Sequence, residues 1–331
     1  MTDLSIIIVN YRGWQRLAQC LDSLSRIADN RFSFEVLIAD NCSNDGMIEK
    51  FKESFPQFRF ILNTGNNGFA NGCNLGAEKS MGSYLLFLNP DTVVSPDALY
   101  GLLSEALIRK PYSVVSCRQV RENGTEERPY GKFLSPSNLT GWMRAFSKIA
   151  LRRSPDSFPQ TEDFIYPEWI SGSVVMINSE DFKNLGGWDE DFWMYFEDVD
   201  LCRRACLKNG EIVLLKKVCV EHNHGGASRI NLKVTALTKT EVHISRHLYI
   251  SKHETGLKAF FMQLFLVTNN LLFGLFPAIL GVLLFFVKGL KVSSAIYLQL
   301  VGYYLNSIRH RTWLSKRSVN YCKSCIFPKI K

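Results

Sequence analysis

Residues 5–46 read SIIIVNYRGWQRLAQCLDSLSRIADNRFSFEVLIADNCSNDG. Ser5–Asn10 (SIIIVN) is a short β-branched run with no polar alternation. That is the pattern of a strand buried on both faces, as in a parallel sheet. It stops at a polar residue and a turn-like Tyr11-Arg12-Gly13. Leu17, Leu21, Leu24 and Ile27 then recur at helical spacing across Trp14–Ile27. Phe34–Ala39 (FEVLIA) is a second strand, ending at Asp40 in the turn-forming DNCSNDG. A strand, a helix and a strand joined this way predict a βαβ unit and therefore a parallel sheet.

The alternation continues outward. Ile48–Phe55 reads as a helix and Phe58–Leu62 as a strand. Asn66–Gly76, rich in Gly and Asn, opens a helix into Lys79. Tyr84–Leu88 (YLLFL) is a strand running into Asn89-Pro90-Asp91, Pro96–Ile108 a helix with Pro at its start, and Val114–Cys117 a strand. The fold class is thus α/β: a doubly wound, mostly parallel sheet. Ligands of such sheets bind beyond the carboxyl ends of the strands, where Asn10, Asp40 and Asp91 fall. Glu122–Gln160 reads as an irregular insertion over the acceptor side. Trp169–Ile177 reads as one strand, with Gly172 where a ligand or backbone could approach closely. A short helix at 180–185 stops at Gly186-Gly187, and a helix at 197–208 stops at Asn209-Gly210. Strands at 211–215 and 218–221 lead to His222-Asn223-His224.

Composition narrows the class. Hydrophobic residues make up 46% of the chain and aromatics 12%, which indicates a packed core rather than disorder. The nine cysteines show no disulfide spacing, and a strand-like SIIIV stands where a secretory leader would. Reduced thiols and a cytoplasmic setting are expected. Cys322 and Cys325 form a lone CxxC without the second pair of a structural zinc site.

The net charge of +8 is unevenly placed: ten of the 39 Lys/Arg but none of the 31 Asp/Glu lie in residues 255–331. A basic, apolar tail suits an anionic membrane surface rather than nucleic acid. Two regions are expected, a sheet domain over 1–228 and a helical, membrane-associating region over 229–331. The tail opens with a polar helix at 230–254, and no charge interrupts the stretch between Lys258 and Lys288. Asn269-Asn270, Gly274 and Pro277 divide that stretch into halves, each too short to cross a bilayer alone. A re-entrant hairpin, in-plane helices, a simple span, and a helical pair packed on the sheet domain are the readings left open. The expected location is the cytoplasmic face of the plasma membrane.

The chemistry concentrates in Gly186–Arg204, GGWDEDFWMYFEDVDLCRR, which mixes carboxylates and two arginines with five aromatics. Acidic residues crowd the first turn of a helix beginning near Glu197. Asp198 there reads as a general base, while Arg203 and Arg204 are placed to pair with Asp200. Asp91 and a histidine, 222 or 224, are oxygen and nitrogen ligands suited to Mg²⁺ or Mn²⁺. Asp40 could accept from a nucleobase imide N–H or, alternatively, close an Asx-turn. Gly65–Gly76 is not a dinucleotide fingerprint, but a Gly/Asn loop opening a helix can bring N–H groups to a phosphate.

Taken in order, these motifs resemble the inverting glycosyltransferases of family 2, in particular the bacterial rhamnosyltransferase-like branch that builds O-antigen and other surface polysaccharides. They are the strand followed by Asn-Tyr, DNxSxDG, NxGFAxGxNxG, a strand ending NPD, the GGW…ED…RR stretch and HxHGGxS. The resemblance spans about residues 4–228 and does not reach the tail. It implies a GT-A fold, a nucleotide-diphosphate sugar donor, a divalent cation, and an acceptor glycan on a polyprenyl-diphosphate lipid. By resemblance, Asn10, Asp40, Asn67, Gly68, Asn74 and Asn89 line the donor site, and Asp91 takes the last position of the D-x-D metal motif. Asn89 replaces that motif's first acid, so the grip on the metal falls to Asp91, a histidine and the diphosphate. Asp198 matches the base of the Glu-Asp pair with Glu197 supporting it, and Trp169, Gly172, Trp188 and Tyr195 shape the acceptor side. Two rival classes are a dehydrogenase, opposed by the missing glycine fingerprint, and a non-catalytic glycan- or nucleotide-binding protein at the membrane, opposed by the intact Glu-Asp pair.

Overall fold

The computed structural model describes residues 2–150, 158–223 and 231–321. The chain divides into two compact units: residues 1–133, 158–189 and 197–227 form the first, and 134–157, 190–196 and 228–331 the second. Two pieces of the expected sheet domain therefore belong with the C-terminal helices. The 122–160 stretch, expected to be irregular, is shared between the units and carries a strand and a helix.

In chain order the first unit begins β1 (Leu4–Asn10), α1 (Trp14–Ser25), β2 (Phe34–Asp40), α2 (Met47–Ser54), β3 (Arg59–Leu62), α3 (Phe69–Glu78), β4 (Tyr84–Leu88), β5 (Thr92–Val93), α4 (Pro96–Ile108), β6 (Val114–Val120) and β7 (Tyr130–Gly131). After α5 (Gly141–Ala150), a helix of the second unit, come β8 (Phe164–Ile165), β9 (Trp169–Ile170), β10 (Val174–Asn178), α6 (Ser179–Asn184), α7 (Glu197–Leu207) and β11 (Ile212–His222). The main sheet runs β3-β2-β1-β4-β10-β6-β11-β5, with β8 also on β11. Strands β3, β2, β1 and β4 are parallel; β10 is antiparallel to both β4 and β6. The sheet is therefore mostly parallel but mixed.

Period-two alternation divides the core between its faces. Ile6, Ile8, Val36, Ile38, Leu86 and Leu88 pack with α1 and α4 on one side. Ile7, Val9, Leu37, Ala39, Phe87 and Val175 pack with residues of α3, α6 and α7 on the other. Strand β1 has β2 on one side and β4 on the other, so the winding reverses between β1 and β4, where an open α/β sheet leaves a crevice for ligand.

Two strand expectations are corrected. Trp169–Ile177 is not continuous: it breaks at Ser171–Ser173, because the Gly172 N–H leaves the ladder for a side chain of α7. The segments 211–215 and 218–221 are one strand, β11, whose register shifts between Leu215 and Cys219. The seven described cysteines are free thiols, and Cys322 and Cys325 lie outside the described residues.

In the second unit α8 (Leu232–His253) is followed by α9 (Gly256–Thr268), a π-helical turn at Asn269–Phe273, α10 (Gly274–Leu283) and α11 (Lys288–His310). The Asn-Asn interruption is therefore not a break. Asn270 Nδ2 donates to the Tyr304 hydroxyl at 2.8 Å and the Trp142 indole donates to Asn269 Oδ1 at 3.0 Å, so the turn widens without leaving the helix. Gly256–Leu283 runs as one 28-residue helix whose most apolar 18-residue window has mean hydropathy 1.8, long and apolar enough to cross a membrane. Only 22% of its most apolar window is buried, and Phe260, Phe261, Phe273 and Phe276 stand exposed along it, as do Phe285 and Phe286 just beyond.

Candidate active site

At the carboxyl end of β1, Asn10 is fully buried; its Nδ2 donates to Asp40 Oδ1 at 2.9 Å and its Oδ1 accepts from Gly13 N–H. Asp40 ends β2, one register step across. Its Oδ1 also accepts from the Ser43 hydroxyl at 2.6 Å, and its Oδ2 from the Ser43 N–H at 2.9 Å. The turn-forming alternative is thus realised: the carboxylate, 1% exposed, closes its own loop. A polar chain leads from there to the Gly/Asn loop. Asn41 donates to the Gly68 carbonyl, Asn63 donates to Asn41 and Asn71, and Asn67 donates weakly to Asn63. Gly68, with φ +91° and ψ 177°, precedes α3 in a conformation essentially restricted to glycine. Gly68 has no side chain to cap α3, and a helix N-terminus opened this way is the kind of place where backbone N–H groups meet an anion.

Asn74 stands differently from its expectation as a donor-lining residue. Its Nδ2 donates to the Trp188 carbonyl at 2.8 Å and its Oδ1 accepts the Trp188 N–H at 2.9 Å, clamping the turn made by Gly186 and Gly187. Trp188 is likewise no wall of an acceptor cleft. It is 1% exposed and packs edge-on against Phe69 and Phe87 at centroid distances of 5.6 and 5.1 Å. Tyr195 belongs to the second unit, and its φ of +69° is followed by +68° at Phe196, consecutive left-handed residues ahead of α7. The aromatics of GGWDEDFWMYF mostly fill cores, since Phe192 and Trp193 are also buried.

A second cluster forms where β4, β5 and β11 end. Pairing of β5 with β11 puts His222 opposite Thr92, beside Asp91. Asp91 Oδ1 lies 3.2 Å from His222 Nε2, and Asn89 Nδ2 lies 3.4 Å from the same nitrogen. The far ring nitrogen, Nδ1, faces Glu127 Oε2 at 3.4 Å. A carboxylate oxygen and an imidazole nitrogen converging at one point, with a second carboxylate behind the ring, fit a divalent cation whose remaining ligands come from substrate. Among the described residues no three His, Cys, Asp or Glu side chains gather as a complete protein cage. His224 lies outside the described residues.

The third cluster is the Glu-Asp pair opening α7. Asp198 Oδ2 accepts the Gly172 N–H at 3.0 Å and Oδ1 accepts the Val199 N–H at 2.8 Å. Gly172 admits this approach because any Cβ there would meet Phe69 at 3.2 Å and the Asp198 Cβ at 3.7 Å. Burial raises the Asp198 pKa against the lowering effect of these N–H groups, the direction that makes a carboxylate a better base. Glu197 is 6% exposed, and burial followed by repulsion from Asp198 pushes its pKa well above the usual carboxylate range. Glu197 Oε2 is buried without a hydrogen-bond partner among the described residues. Arg204 pairs with Asp200 at 2.7 Å and donates to the Leu185 carbonyl, a structural role; Arg203 stacks over Phe133.

The raised pKa of buried Glu197 makes stability pH-dependent. Its folded pKa is raised, so its contribution is intact below the ordinary value of 4.5 and is lost as pH rises through the folded value. Wild-type thermal stability is expected to decline across that window, and Glu197→Gln, always neutral, to flatten the decline. Melting curves from pH 4 to 9 check this; parallel slopes for the two proteins would refute it.

The Asp91–His222 pair and the Glu-Asp pair share one support. The Asn89 N–H donates to the Ser173 carbonyl at 2.9 Å, while the neighbouring Gly172 N–H holds Asp198. Trp169, two residues before Ser171, anchors its indole on the Lys132 carbonyl at 2.9 Å. Sequence reasoning missed Glu127, Gln119, Asn41 and Asn63. Gln119, fully buried, accepts the Ser173 hydroxyl at 2.9 Å and so backs the shared segment. Asn63, just past the end of β3, carried a readable signal in its position; Glu127 and Gln119 carried none.

Residues 5–165 match the model of glycosyl transferase family 2, and residues 161–225 that of the N-terminal domain of galactosyltransferase. The chain is similar to the N-acetylglucosaminyl-diphospho-decaprenol L-rhamnosyltransferase of Mycobacterium tuberculosis, 29% identical over 218 residues, or 61% of this chain and 70% of that protein. It is similar to the low-salt glycan biosynthesis hexosyltransferase Agl10 of Haloferax volcanii, 27% identical over 67% of this chain and 68% of that one. Rhamnosyltransferase WbbL of Escherichia coli is 24% identical over 61% of this chain and 76% of its own length. Among solved structures, GalNAc-T7 with UDP, GalNAc and Mn²⁺ superposes with a TM-score of 0.52 at 17% identity, over 76% of this chain and half (50%) of that one. The fold is of the GT-A type.

Proposed function

We propose that the chain, whose residues 5–165 match the glycosyl transferase family 2 model, is a transferase that moves a sugar, rhamnose as first choice, from a nucleotide-diphosphate donor to a hydroxyl of a polyprenyl-diphosphate-linked glycan. The observation that carries this reading is the segment 171–173, which ties the Asn89 backbone on one side and the Asp198 carboxylate on the other. That puts a candidate cation ligand pair and a candidate base on one scaffold, the arrangement a single displacement requires.

Asp91 and His222 would hold the cation, which when bound neutralises negative charge on the departing diphosphate. Asp198 accepts the proton of the attacking acceptor hydroxyl, and its raised pKa keeps it basic enough for that transfer. Attack opposite the leaving group inverts the anomeric centre. The upward shift of Glu197 works against a second negative charge beside the base. The start of α3, opened by Gly68, suits the donor phosphates, and Asp40 with Asn67 and Gly68 suits the nucleoside. Asp40 Oδ2, accepting a single N–H within the fold, keeps a lone pair for a base imide. Trp169 and Gly172 shape the acceptor side. The relatives named for rhamnosyl transfer and for a diphospho-decaprenol acceptor support both substrate assignments.

A panel of nucleotide sugars tests the reading. With Mg²⁺ or Mn²⁺, dTDP-rhamnose is expected to raise the melting temperature most and to be consumed when a lipid-linked GlcNAc acceptor is added. Stabilisation by a nicotinamide dinucleotide instead would sink it.

The exposed apolar helix and the basic tail support a membrane-bound location. Full-length protein is expected to float with anionic vesicles. Replacing Phe276, Phe285 and Phe286 together by Ser is expected to weaken that partition by about 10²-fold or more, since each exposed ring offers about 1.5–3 kcal/mol on burial. Equal flotation of the triple variant would place the contact elsewhere.

A further inference from the structure

Beside the π-helical turn of the second unit lies a polar network that the sugar-transfer reading does not use. Asn270 donates to the Tyr304 hydroxyl, which therefore donates onward to His247 Nε2 at 2.9 Å. His247 Nδ1 then carries the proton and donates to Gln263 Oε1, and the Gln263 amide returns to the His247 carbonyl at 2.8 Å. Trp313 stacks on the imidazole at 4.8 Å. Burial pushes the His247 pKa down to about 4, so the ring is neutral and both its nitrogens are satisfied.

Two neighbours on α8 are not satisfied. His243, one turn earlier, sits beside Asn270, yet its Nδ1 is buried with no hydrogen-bond partner among the described residues. Arg246 keeps part of its surface exposed, but its Nε is buried and likewise without a partner among the described residues. The charge bearing most on Arg246 is another cation, Arg144 of α5. A guanidinium does not escape burial by losing its proton, so an uncompensated one is destabilising unless an anion joins it. The hydrogen bond from Trp142 to Asn269 brings α5 to the same turn, with Arg144 two residues further along. Isolated π-turns occur often at functional sites. This one interrupts an exposed apolar helix bearing Phe260, Phe261, Phe273 and Phe276. A cation lacking its anion beside such a surface calls for a ligand with a phosphate head and an apolar remainder.

We propose that Arg246, with Arg144 and His243, binds the diphosphate of the polyprenyl-linked acceptor at this turn, an assignment that rests on the sugar-transfer reading above. The π-turn and the His247 network hold α8, α9 and α11 in place, and the two arginines supply the charge. Arg144 is exposed and reaches the head group from α5.

The test uses full-length protein in detergent, with EDTA added to suppress cation-dependent donor binding, and inorganic pyrophosphate as probe. Pyrophosphate is expected to raise the melting temperature of the wild type. Arg246→Met is expected to melt higher than wild type without ligand, because a buried unpaired charge is gone, and to bind pyrophosphate about tenfold more weakly or worse. Arg144→Gln, at an exposed position, is expected to weaken binding severalfold with no change in unliganded melting. Zwitterionic vesicles doped with a polyprenyl diphosphate should retain wild type better than vesicles doped with anionic phospholipid, and Arg246→Met should lose that preference. Wild-type pyrophosphate affinity in both variants, a lower unliganded melting temperature for Arg246→Met, or equal retention on the two vesicle types would each overturn the proposal. Binding of a nucleoside diphosphate with Mg²⁺ is read in parallel. Its retention in Arg246→Met assigns the loss to this site, whereas its absence from the wild type counts against the sugar-transfer reading instead.

Discussion

Asp198→Asn is expected to lower sugar transfer by about 10²–10⁴-fold, the usual contribution of a positioned general base. The substitution keeps the shape of the side chain, and an amide oxygen can still accept the Gly172 N–H that holds Asp198 at 3.0 Å. What it removes is the capacity to take a proton, together with the acceptor for the short-range Val199 N–H. Donor affinity should therefore change little, and the loss should fall on kcat rather than on donor KM. The pH profile supplies a second readout. Burial raises the Asp198 pKa, so the wild type should lose activity as pH falls through that value, whereas residual activity of the Asn variant should lack this limb. Unchanged turnover in Asp198→Asn, or an unaltered acidic limb, would remove Asp198 from the base role.

Asp91→Asn and His222→Ala are expected each to cost about 10²-fold or more in transfer and to abolish the extra thermal stabilisation that Mg²⁺ or Mn²⁺ gives to a bound nucleoside diphosphate. The two side chains stand 3.2 Å apart and, on the proposed reading, would hold the same ion, so the double variant should be scarcely worse than either single one. Glu127 faces the far ring nitrogen of His222 at 3.4 Å, a position from which it would support the imidazole only indirectly, so its loss should weaken the cation effect less. Transfer that persists undiminished in EDTA, or additive losses in the double variant, would show that these residues do not share an ion.

The sheet was readable because its signals are local. SIIIVN, FEVLIA and YLLFL are apolar runs too short for helices, each stopped by a polar residue, and all three became buried strands with their stopping residues at the carboxyl edge. The pair Glu197-Asp198 was readable for the same reason: a crowded acidic first turn is a local pattern. The misreadings came from long-range partners. Nothing near Gly172 in sequence tells that its N–H turns away from the ladder to meet a carboxylate 26 residues later. Nothing near Asn74 tells that its amide clamps a backbone 114 residues away. The aromatics of 188–196 looked like a ligand-facing wall because composition does not distinguish a ring that stacks on substrate from one that fills a core. Asn269-Asn270 looked like a helix break because an unpaired amide pair would be one. Trp142 and Tyr304, both distant in sequence, supply the missing partners.

The order of the strands also bears on how the protein must be made. Strand β10 sits between β4 and β6, yet it is synthesised after both. Until residue 178 has left the ribosome, the β4 edge has no neighbour on that side, and its run YLLFL is apolar. An open, hydrophobic strand edge is a template for pairing with other chains. Nascent or truncated forms ending before β10 are therefore the ones expected to need a chaperone, whereas addition of the 174–178 strand seals the gap.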